Sequence, residues 1–165
     1  SAPGRRPDRD RGRPSMEITD IPVEGYERVA RCIDQESGLH ALIAVAADIS
    51  GEYWAAENFL TERPGKWTLS FGVWQKRRLI GYAILSRRGA NHVHLHHFMV
   101  AVRERSAGYG ARMVTEMLRR CRAIGADILT LKTAPGNSGA ICFYGRHGFA
   151  ETGVERGYKV MSRAL

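Results

Sequence analysis

The chain is poor in cysteine and has no long hydrophobic run. Only three of its 165 residues are cysteines and no CxxC pair occurs, which argues against a disulfide framework and fits a reducing cytosol. The longest apolar stretch, 39–49, has eleven residues and is interrupted by His40 and Asp48. A membrane-spanning helix needs about 20 apolar residues, and no secretory signal opens the sequence. We therefore expect a cytoplasmic protein without membrane contacts.

Acidic residues are outnumbered by basic ones, and the excess is unevenly placed. The net charge is +8, and residues 1–15 contribute +3 of it because they hold five arginines and two aspartates. Their Pro/Gly/Arg-rich composition predicts a disordered basic tail, either native or an expression remnant, since Met16 is a plausible start. Residues 16–165 suffice for one domain with an ordinary core. A basic domain suits a polyanionic ligand, although an arginine-preferring proteome explains the charge equally well.

The spacing of apolar residues predicts an α/β (α+β) domain built on a single sheet. A first strand at 16–21, a helix at 23–37 and one or two helices within 39–62 are expected to come first. They are followed by strands at 66–75, 77–88 and 91–102, an amphipathic helix at 109–125, a strand at 126–134, a short helix at 137–148 and closing strands in 149–165. This order predicts a mixed, mostly antiparallel sheet of about six to seven strands flanked by about four helices.

A glycine-punctuated turn, RSAGYGARM, leads from the third of these long strands into the amphipathic helix. The first N–H groups of a helix lack intrahelical partners and the helix dipole makes that end positive, so such a turn can hold a phosphate. Gly108 and Gly110 would allow a close approach of the backbone and a positive φ. A Walker loop has Lys and Ser/Thr after its last glycine, where this chain has Ala and Arg. A dinucleotide fingerprint has a third small residue where this chain has Met113.

A second pattern, NSGAICFYGRHGF, occupies 137–149. Together with Arg105-x-x-Gly108-x-Gly110 it resembles the GNAT superfamily of acyl-CoA-dependent N-acetyltransferases. That family has a Q/R-x-x-G-x-G/A loop for the pyrophosphate and an N-x-x-A-x-x-F-Y-x-x-x-G-F segment beside the thioester. The resemblance implies the GNAT fold and an enzyme that moves the acetyl group of acetyl-CoA to a primary amine by direct attack in a ternary complex.

The resemblance also implies roles for individual residues. The strand end at Met99, Val100 and Val102 would pair with the pantetheine arm, and the backbone of Arg105, Ser106, Ala107, Gly108, Tyr109, Gly110 and Ala111 would hold the pyrophosphate. Asn137 would bond to the pantetheine region, and Tyr144 would lie near the sulfur as the general acid. Because direct attack needs no covalent nucleophile, the cysteines are expected to be bystanders.

Four of the six histidines fall in the sequence HVHLHH, and 89–103 holds no acidic residue that could act as a base. Alternation along a strand predicts that His92, His94 and His96 share one face and that His97 lies on the other. An imidazole titrates near about 6.5 and can accept a proton at neutral pH. The spacing of His94 and His96 from the loop is similar to that of the paired histidines in serotonin (arylalkylamine) N-acetyltransferases, which implies a base or a water relay.

Other roles stay open for these histidines. They can bind zinc with His92 as the third ligand, although we expect no metal; they can form a solvated strand face; or they can line the acceptor pocket. The resemblance implies an acceptor pocket built from the first helices, the histidine-bearing strand and the last hairpin. The candidate residues there are Glu36, His40, Tyr53, Trp54, Glu57 and Tyr158, with His92. Packing of an amphipathic helix on the sheet explains the two aromatic residues Tyr53 and Trp54 as well.

The activity has two alternatives from other functional classes. One is a non-catalytic acyl-CoA-binding or regulatory module of the same fold. The other is a nucleic-acid binder, against which the absence of a basic patch interleaved with aromatic residues weighs. The expected partner is therefore a small-molecule or protein amine rather than nucleic acid, and the chain is expected to be a monomer or a homodimer.

Overall fold

The computed structural model describes residues 17–20, 58–59, 61–75, 78–101, 104–105 and 107–165. The tail predicted at 1–15, the helix predicted at 23–37 and most of the helical region predicted at 39–62 lie outside these residues. No described helix has the length and apolar character needed to cross a membrane.

In the described part of the chain, seven strands form one sheet in the order β1-β2-β3-β4-β5-β7-β6. They are β1 Glu17–Asp20, β2 Phe71–Gln75, β3 Arg78–Arg87, β4 His92–Val100, β5 Ile128–Thr133, β6 Ala150–Glu155 and β7 Tyr158–Ala164. β4 and β5 run parallel, and every other neighbouring pair is antiparallel. The predicted mixed, mostly antiparallel sheet is confirmed.

Three helices belong to the described part of the chain: α1 Lys66–Leu69, α2 Tyr109–Ala123 and α3 Ser138–Arg146. α2 buries an apolar stripe at helical spacing that comprises Met113, Val114, Met117, Leu118 and Cys121. This stripe and parts of α3 pack on one face of the sheet and form the main core with alternate strand residues such as Val93, Leu95, Leu129 and Leu131. The two motif-bearing helices therefore share one side of the sheet.

The prediction of a strand from residue 66 is wrong, because 66–69 form one helical turn. Gly65 precedes it with φ 68°, and the N–H of Ser70 donates to the carbonyl of Lys66 at 2.9 Å. The Lys66 ammonium is buried and donates to the carbonyls of Phe59 at 2.6 Å and Thr61 at 2.7 Å. These bonds to the preceding segment keep the turn out of the sheet, and strand β2 begins only at Phe71.

A β-bulge interrupts β4 within the histidine cluster. Leu85 pairs with Leu95 but Ile84 pairs with His97, so His96 is an extra residue on β4. Phe98 therefore packs against the main core, as Leu95 does, although the two residues are three apart.

The bulge places all four histidines on the face opposite α2. His97 Nδ1 hydrogen-bonds to Tyr82 Oη at 2.6 Å, and neither residue belongs to the main core. The prediction that His97 lies on the other face from His92, His94 and His96 is therefore wrong, because strict alternation ends at the bulge.

Candidate active site

The end of β4 lies along an open edge of the sheet. β4 and β5 pair only over His92–Leu95 and Ile128–Leu131, although β4 continues to Val100. Among the described residues, no strand pairs with the β5-facing edge of β4 beyond Leu95. The two parallel strands therefore separate, and the backbone of β4 forms the wall of a cleft.

The direction of the amide groups in this wall follows from one hydrogen bond. The N–H of Ala101 donates to the carbonyl of Ile80 on β3 at 2.7 Å. Successive residues of an antiparallel strand direct their amide groups to opposite edges. Phe98 and Val100 consequently present N–H and C=O groups to the cleft, as an extended ligand adding to the sheet would require. The binding role predicted for Val100 fits this geometry.

The predicted binding role of Met99 does not fit. Its carbonyl oxygen lies only 2.5 Å from the place where a Cβ on Gly81 of β3 would stand, so its amide plane is turned toward β3. The N–H and C=O groups of Phe98 point into the cleft instead, although the sequence pattern did not indicate this residue. Two further predicted residues, Val102 and Ser106, lie outside the described residues.

α2 begins beside this cleft, and no described side chain caps its N-terminus. Gly108 is the N-cap residue and has φ 84°, in the left-handed region that favours glycine. The first turn contains no acidic residue, so its free N–H groups and the helix dipole create a positive end. Arg105 is exposed nearby and donates from Nε to the carbonyl of Val100 at 3.1 Å. These are the properties of an anion site.

Two of the predicted loop residues also have packing roles. A Cβ on Gly110 would lie 3.1 Å from the ring of Phe143 on α3, so glycine here permits close contact between α2 and α3. Tyr109 is fully buried and its ring belongs to the main core. Both residues can therefore serve an anion only through their backbone N–H groups, whereas Ala107 and Ala111 are exposed.

α3 carries the second motif and brings Tyr144 to the cleft end of β4. The Oδ1 of Asn137 accepts a hydrogen bond from the N–H of Ala140 at 3.1 Å and so caps the helix, which leaves the amide donors of Asn137 for a ligand. The Tyr144 ring packs against Phe98 at 6.1 Å and Phe149 at 5.5 Å between ring centroids. Aromatic contacts thus fix the position of the ring.

On the face of the sheet opposite α2, threonine and serine hydroxyl groups form hydrogen bonds with the histidines. The Thr130 Oγ1 lies 2.6 Å from His92 Nε2 and 2.8 Å from His94 Nδ1. The Ser86 Oγ lies 2.6 Å from His96 Nε2. The His94 and His96 rings meet edge to face with 4.9 Å between centroids. The two predicted base residues are therefore adjacent and oriented by neighbouring strands.

Burial keeps these imidazoles neutral. Loss of water lowers the pKa of His94 to about 3 and that of His96 to about 4, and nearby cations add to the effect, with Arg88 foremost for His94 and Arg63 for His96. The pKa of His92, which is less buried, is also lowered, first by desolvation and then by Arg88. At neutral pH each of these rings has a lone pair available to accept a proton.

The proposed acid and base groups approach the β4 edge from its two faces. Tyr144 contacts Phe98 on the side of α2, whereas His94 and His96 bond to Thr130 and Ser86 on the other side. The two histidines lie where the pairing of β4 with β5 ends, and Tyr144 packs on Phe98 just beyond that point. A phenol and two neutral imidazoles thus lie on opposite faces of β4 next to its open edge.

The remaining predicted residues lie either away from the β4 edge or outside the described part of the chain. Glu36, His40, Tyr53, Trp54 and Glu57 lie outside the described residues, and Tyr158 is exposed on β7. Cys121 is buried, which raises its thiol pKa to about 12, and Cys142 is exposed. Within the described ranges no group of three or more His, Cys, Asp or Glu side chains is arranged to hold a metal ion.

Residues 37–149 match the family model for the acetyltransferase (GNAT) family, which is more than half of the chain. The chain belongs to the GNAT acetyltransferase family. No curated protein matches this GNAT member by sequence.

Solved structures share the fold of this GNAT protein at low sequence identity. The ribosomal-protein-S18-alanine N-acetyltransferase from Escherichia coli is 17% identical, with a TM-score of 0.71 over 92% of this chain and 94% of that one. The PaiA N-acetyltransferase from Thermoplasma acidophilum, in complex with coenzyme A, is 19% identical, with a TM-score of 0.72 over 92% and 99%. Arabidopsis thaliana Naa50, in complex with the bisubstrate analogue CoA-Ac-MVNAL, is 14% identical, with a TM-score of 0.68 over 92% and 99%.

Proposed function

We propose that the protein transfers the acetyl group of acetyl-CoA to a primary amine, on a small molecule or a protein, by direct attack in a ternary complex. The observation that carries this proposal is the open edge of β4 ending beside the uncapped N-terminus of α2. An extended arm with amide groups followed by a pyrophosphate has the chemistry that such a groove and anion site would bind. The relatives solved with coenzyme A and with a bisubstrate analogue support the same donor.

The donor would lie along β4 and end at α2. The amide groups of Phe98 and Val100 would pair with the pantetheine arm, and Asn137 would donate its side-chain amide to the same region. The first N–H groups of α2, from Gly108 to Ala111, would hold the pyrophosphate. Arg105, exposed beside this turn, would add positive charge.

The acceptor must lose a proton before it can attack, because a primary amine is protonated at neutral pH. His94 and His96 are neutral and adjacent, so they would accept that proton directly or through water. Tyr144 would donate a proton to the departing sulfur from the other side of the edge. No protein nucleophile is required in this scheme, and Cys121, whose thiol pKa burial raises to about 12, is unsuited to be one.

The direct test is release of the free CoA thiol from acetyl-CoA across a panel of amines, peptides and protein N-termini. Turnover with at least one primary amine is expected, together with the acetylated amine as the second product. Tight binding of acetyl-CoA without turnover on any acceptor would instead show a non-catalytic acyl-CoA-binding module. The cytoplasmic location and the monomeric or dimeric state stay predictions from the sequence.

A further inference from the structure

One threonine hydroxyl bridges two histidines of the cluster. Thr130 Oγ1 lies 2.6 Å from His92 Nε2 and 2.8 Å from His94 Nδ1, and both distances are those of hydrogen bonds. Thr130 is 7% exposed and His94 4%, whereas His92 is only partly buried. The three groups therefore form a line from the buried interior of the face to the surface.

A single hydroxyl hydrogen makes the two rings interdependent. Thr130 has one O–H to donate and lone pairs to accept. With both bonds formed and both rings neutral, it either donates to one nitrogen and accepts an N–H from the other, or accepts an N–H from both. The second arrangement would leave the O–H without an acceptor, because the two histidines are the described hydrogen-bond partners of this buried hydroxyl, so the first arrangement is favoured. If His94 carries its proton on Nδ1, then His92 Nε2 must be bare, and the reverse arrangement requires the opposite tautomers.

From this geometry we infer that Thr130 is a positioning residue that links the tautomers of His92 and His94 and joins them into one path for the proton removed from the acceptor amine. This inference rests on the proposed function and extends it to residues that touch neither substrate. His92 becomes the exit of the path rather than an acceptor-binding residue.

The path balances for one proton. In the starting arrangement His94 Nδ1–H donates to Thr130 Oγ1, the Thr130 O–H donates to His92 Nε2, and His94 Nε2 has a free lone pair. A proton from the amine arrives at His94 Nε2, the Nδ1 proton moves to Thr130, and the Thr130 proton moves to His92 Nε2. His92 then releases its Nδ1 proton to water. One proton enters at His94 Nε2 and one leaves from His92 Nδ1 to water. After product release, water at the emptied site takes the Nε2 proton of His94 while water at the surface supplies a proton to His92 Nδ1, and the reverse shift through Thr130 restores the starting tautomers with no further net release.

The surroundings of His94 explain why a path is needed. Burial is the main obstacle to positive charge on its ring, and Arg88 from the β3–β4 turn and Lys132 from β5 add electrostatic repulsion. A proton cannot rest there at neutral pH. Catalysis through this histidine therefore requires that the proton move on at once, and Thr130 is the group its Nδ1 contacts.

The test uses two variants of the full chain, Thr130→Val and Thr130→Ser. Valine keeps the shape of threonine without the hydroxyl, and serine keeps the hydroxyl. Nitrogen-15 NMR of the imidazoles, recorded without acetyl-CoA, should show His94 mainly protonated on Nδ1 and His92 with Nε2 bare in the unaltered protein and in the serine variant. In the valine variant, the tautomer of His92 should no longer depend on that of His94, and the populations of the two tautomers should change.

Kinetics test the path itself. Thr130→Val should lower kcat at least about tenfold, toward the roughly 100-fold that acid–base catalysis typically contributes, with little change in KM for acetyl-CoA. Thr130→Ser should restore most of that loss. Thr130→Val combined with His92→Gln should be no slower than the slower single variant, because both interrupt the same path.

The outcomes separate this inference from the proposed function. Unchanged tautomers in Thr130→Val would overturn the linkage, and an unchanged kcat or a serine variant as slow as the valine variant would overturn the path. An unaltered protein that acetylates no amine would overturn the proposed function and the path with it, while the NMR result would still decide whether Thr130 links the two rings.

Discussion

A histidine with a pKa near 3 or 4 is neutral at pH 7 and has a lone pair for a proton, yet it is a weak base that cannot keep one. Burial brings His94 and His96 into this range. In water, an imidazole of ordinary pKa would lose its function as a base below about pH 6.5. In this protein the base function should persist to a lower pH, and it should depend on groups that pass the proton onward.

The first prediction concerns the pH profile of the His96→Gln variant. In the unaltered enzyme, protonation of His96 should inactivate only near pH 4, because its pKa is lowered to about that value. Glutamine does not titrate, so this contribution to the acid limb of kcat/KM should disappear while the overall rate falls. His97→Gln is the matched control, since His97 bonds to Tyr82 rather than to the proposed relay. An acid limb that is identical in His96→Gln would remove this histidine as a base.

A second prediction at the residue scale concerns the Tyr144 hydroxyl. Phe98, Phe143 and Phe149 surround the ring with centroids 5.3 to 6.1 Å away, so phenylalanine should fill the same space. Tyr144→Phe should lower kcat by about 100-fold, a typical contribution of a general acid, with acetyl-CoA binding measured by calorimetry nearly unchanged. Equal losses in turnover and in donor affinity would show that Tyr144 binds rather than protonates.

At the scale of elements, most helices and strands of the described part follow from the sequence. The apolar stripe of α2 at Met113, Val114 and Met117 has helical spacing, and the glycine turn with Asn137 marks where α2 and α3 begin. These features involve residues close together in the sequence, so periodicity and capping residues suffice to predict the two helices. The one-turn helix at Lys66 does not follow from such features, because a buried ammonium that bonds to carbonyls several residues earlier stabilises it.

The site was only partly predictable because two of its features are long-range. The β-bulge at His96 depends on how β4 pairs with β3, and it moves His97 to the face predicted for the other three histidines. The roles of Ser86 and Thr130 depend on the register of β3 and β5 against β4, which brings both residues opposite His94. Register and bulges depend on the partner strand and the connecting turn as well as on a strand's own pattern, so β4 alone does not determine them.

Adding one negative charge at either end of α2 tests the proposed pyrophosphate site. Ala111 lies in the first turn and Ala123 at the last residue, and both are exposed, so aspartate fits sterically at either place. Ala111→Asp should raise the KM for acetyl-CoA about tenfold, because a carboxylate beside the proposed pyrophosphate site repels it. Ala123→Asp adds the same charge at the far end and should leave that KM within about twofold. Equal effects of the two variants would argue against an anion site at the N-terminus of α2.

The whole molecule combines two unlike faces of one sheet. The face toward α2 and α3 is an apolar core, whereas the other buries His94, His97, Ser86 and Thr130. Buried polar groups need partners, and here histidines and hydroxyls supply them to one another. Such a face is stable only while its imidazoles remain neutral, which ties the stability of the molecule to pH.

The last prediction is that this protein loses stability as the pH falls from about 6.5 to about 4. Burial lowers the pKa of His94 to about 3 and those of His96 and His97 to about 4, while an unfolded chain has histidines near 6.5. In that window the unfolded state binds more protons, so the free energy of unfolding falls with falling pH by up to about 1.4 kcal/mol per pH unit for each such histidine. Urea unfolding midpoints at pH 7, 6 and 5 measure the slope. His96→Gln should reduce it, whereas His147→Gln, at the half-buried C-cap of α3, should reduce it less. A midpoint independent of pH across this window would contradict the neutral buried state of the cluster.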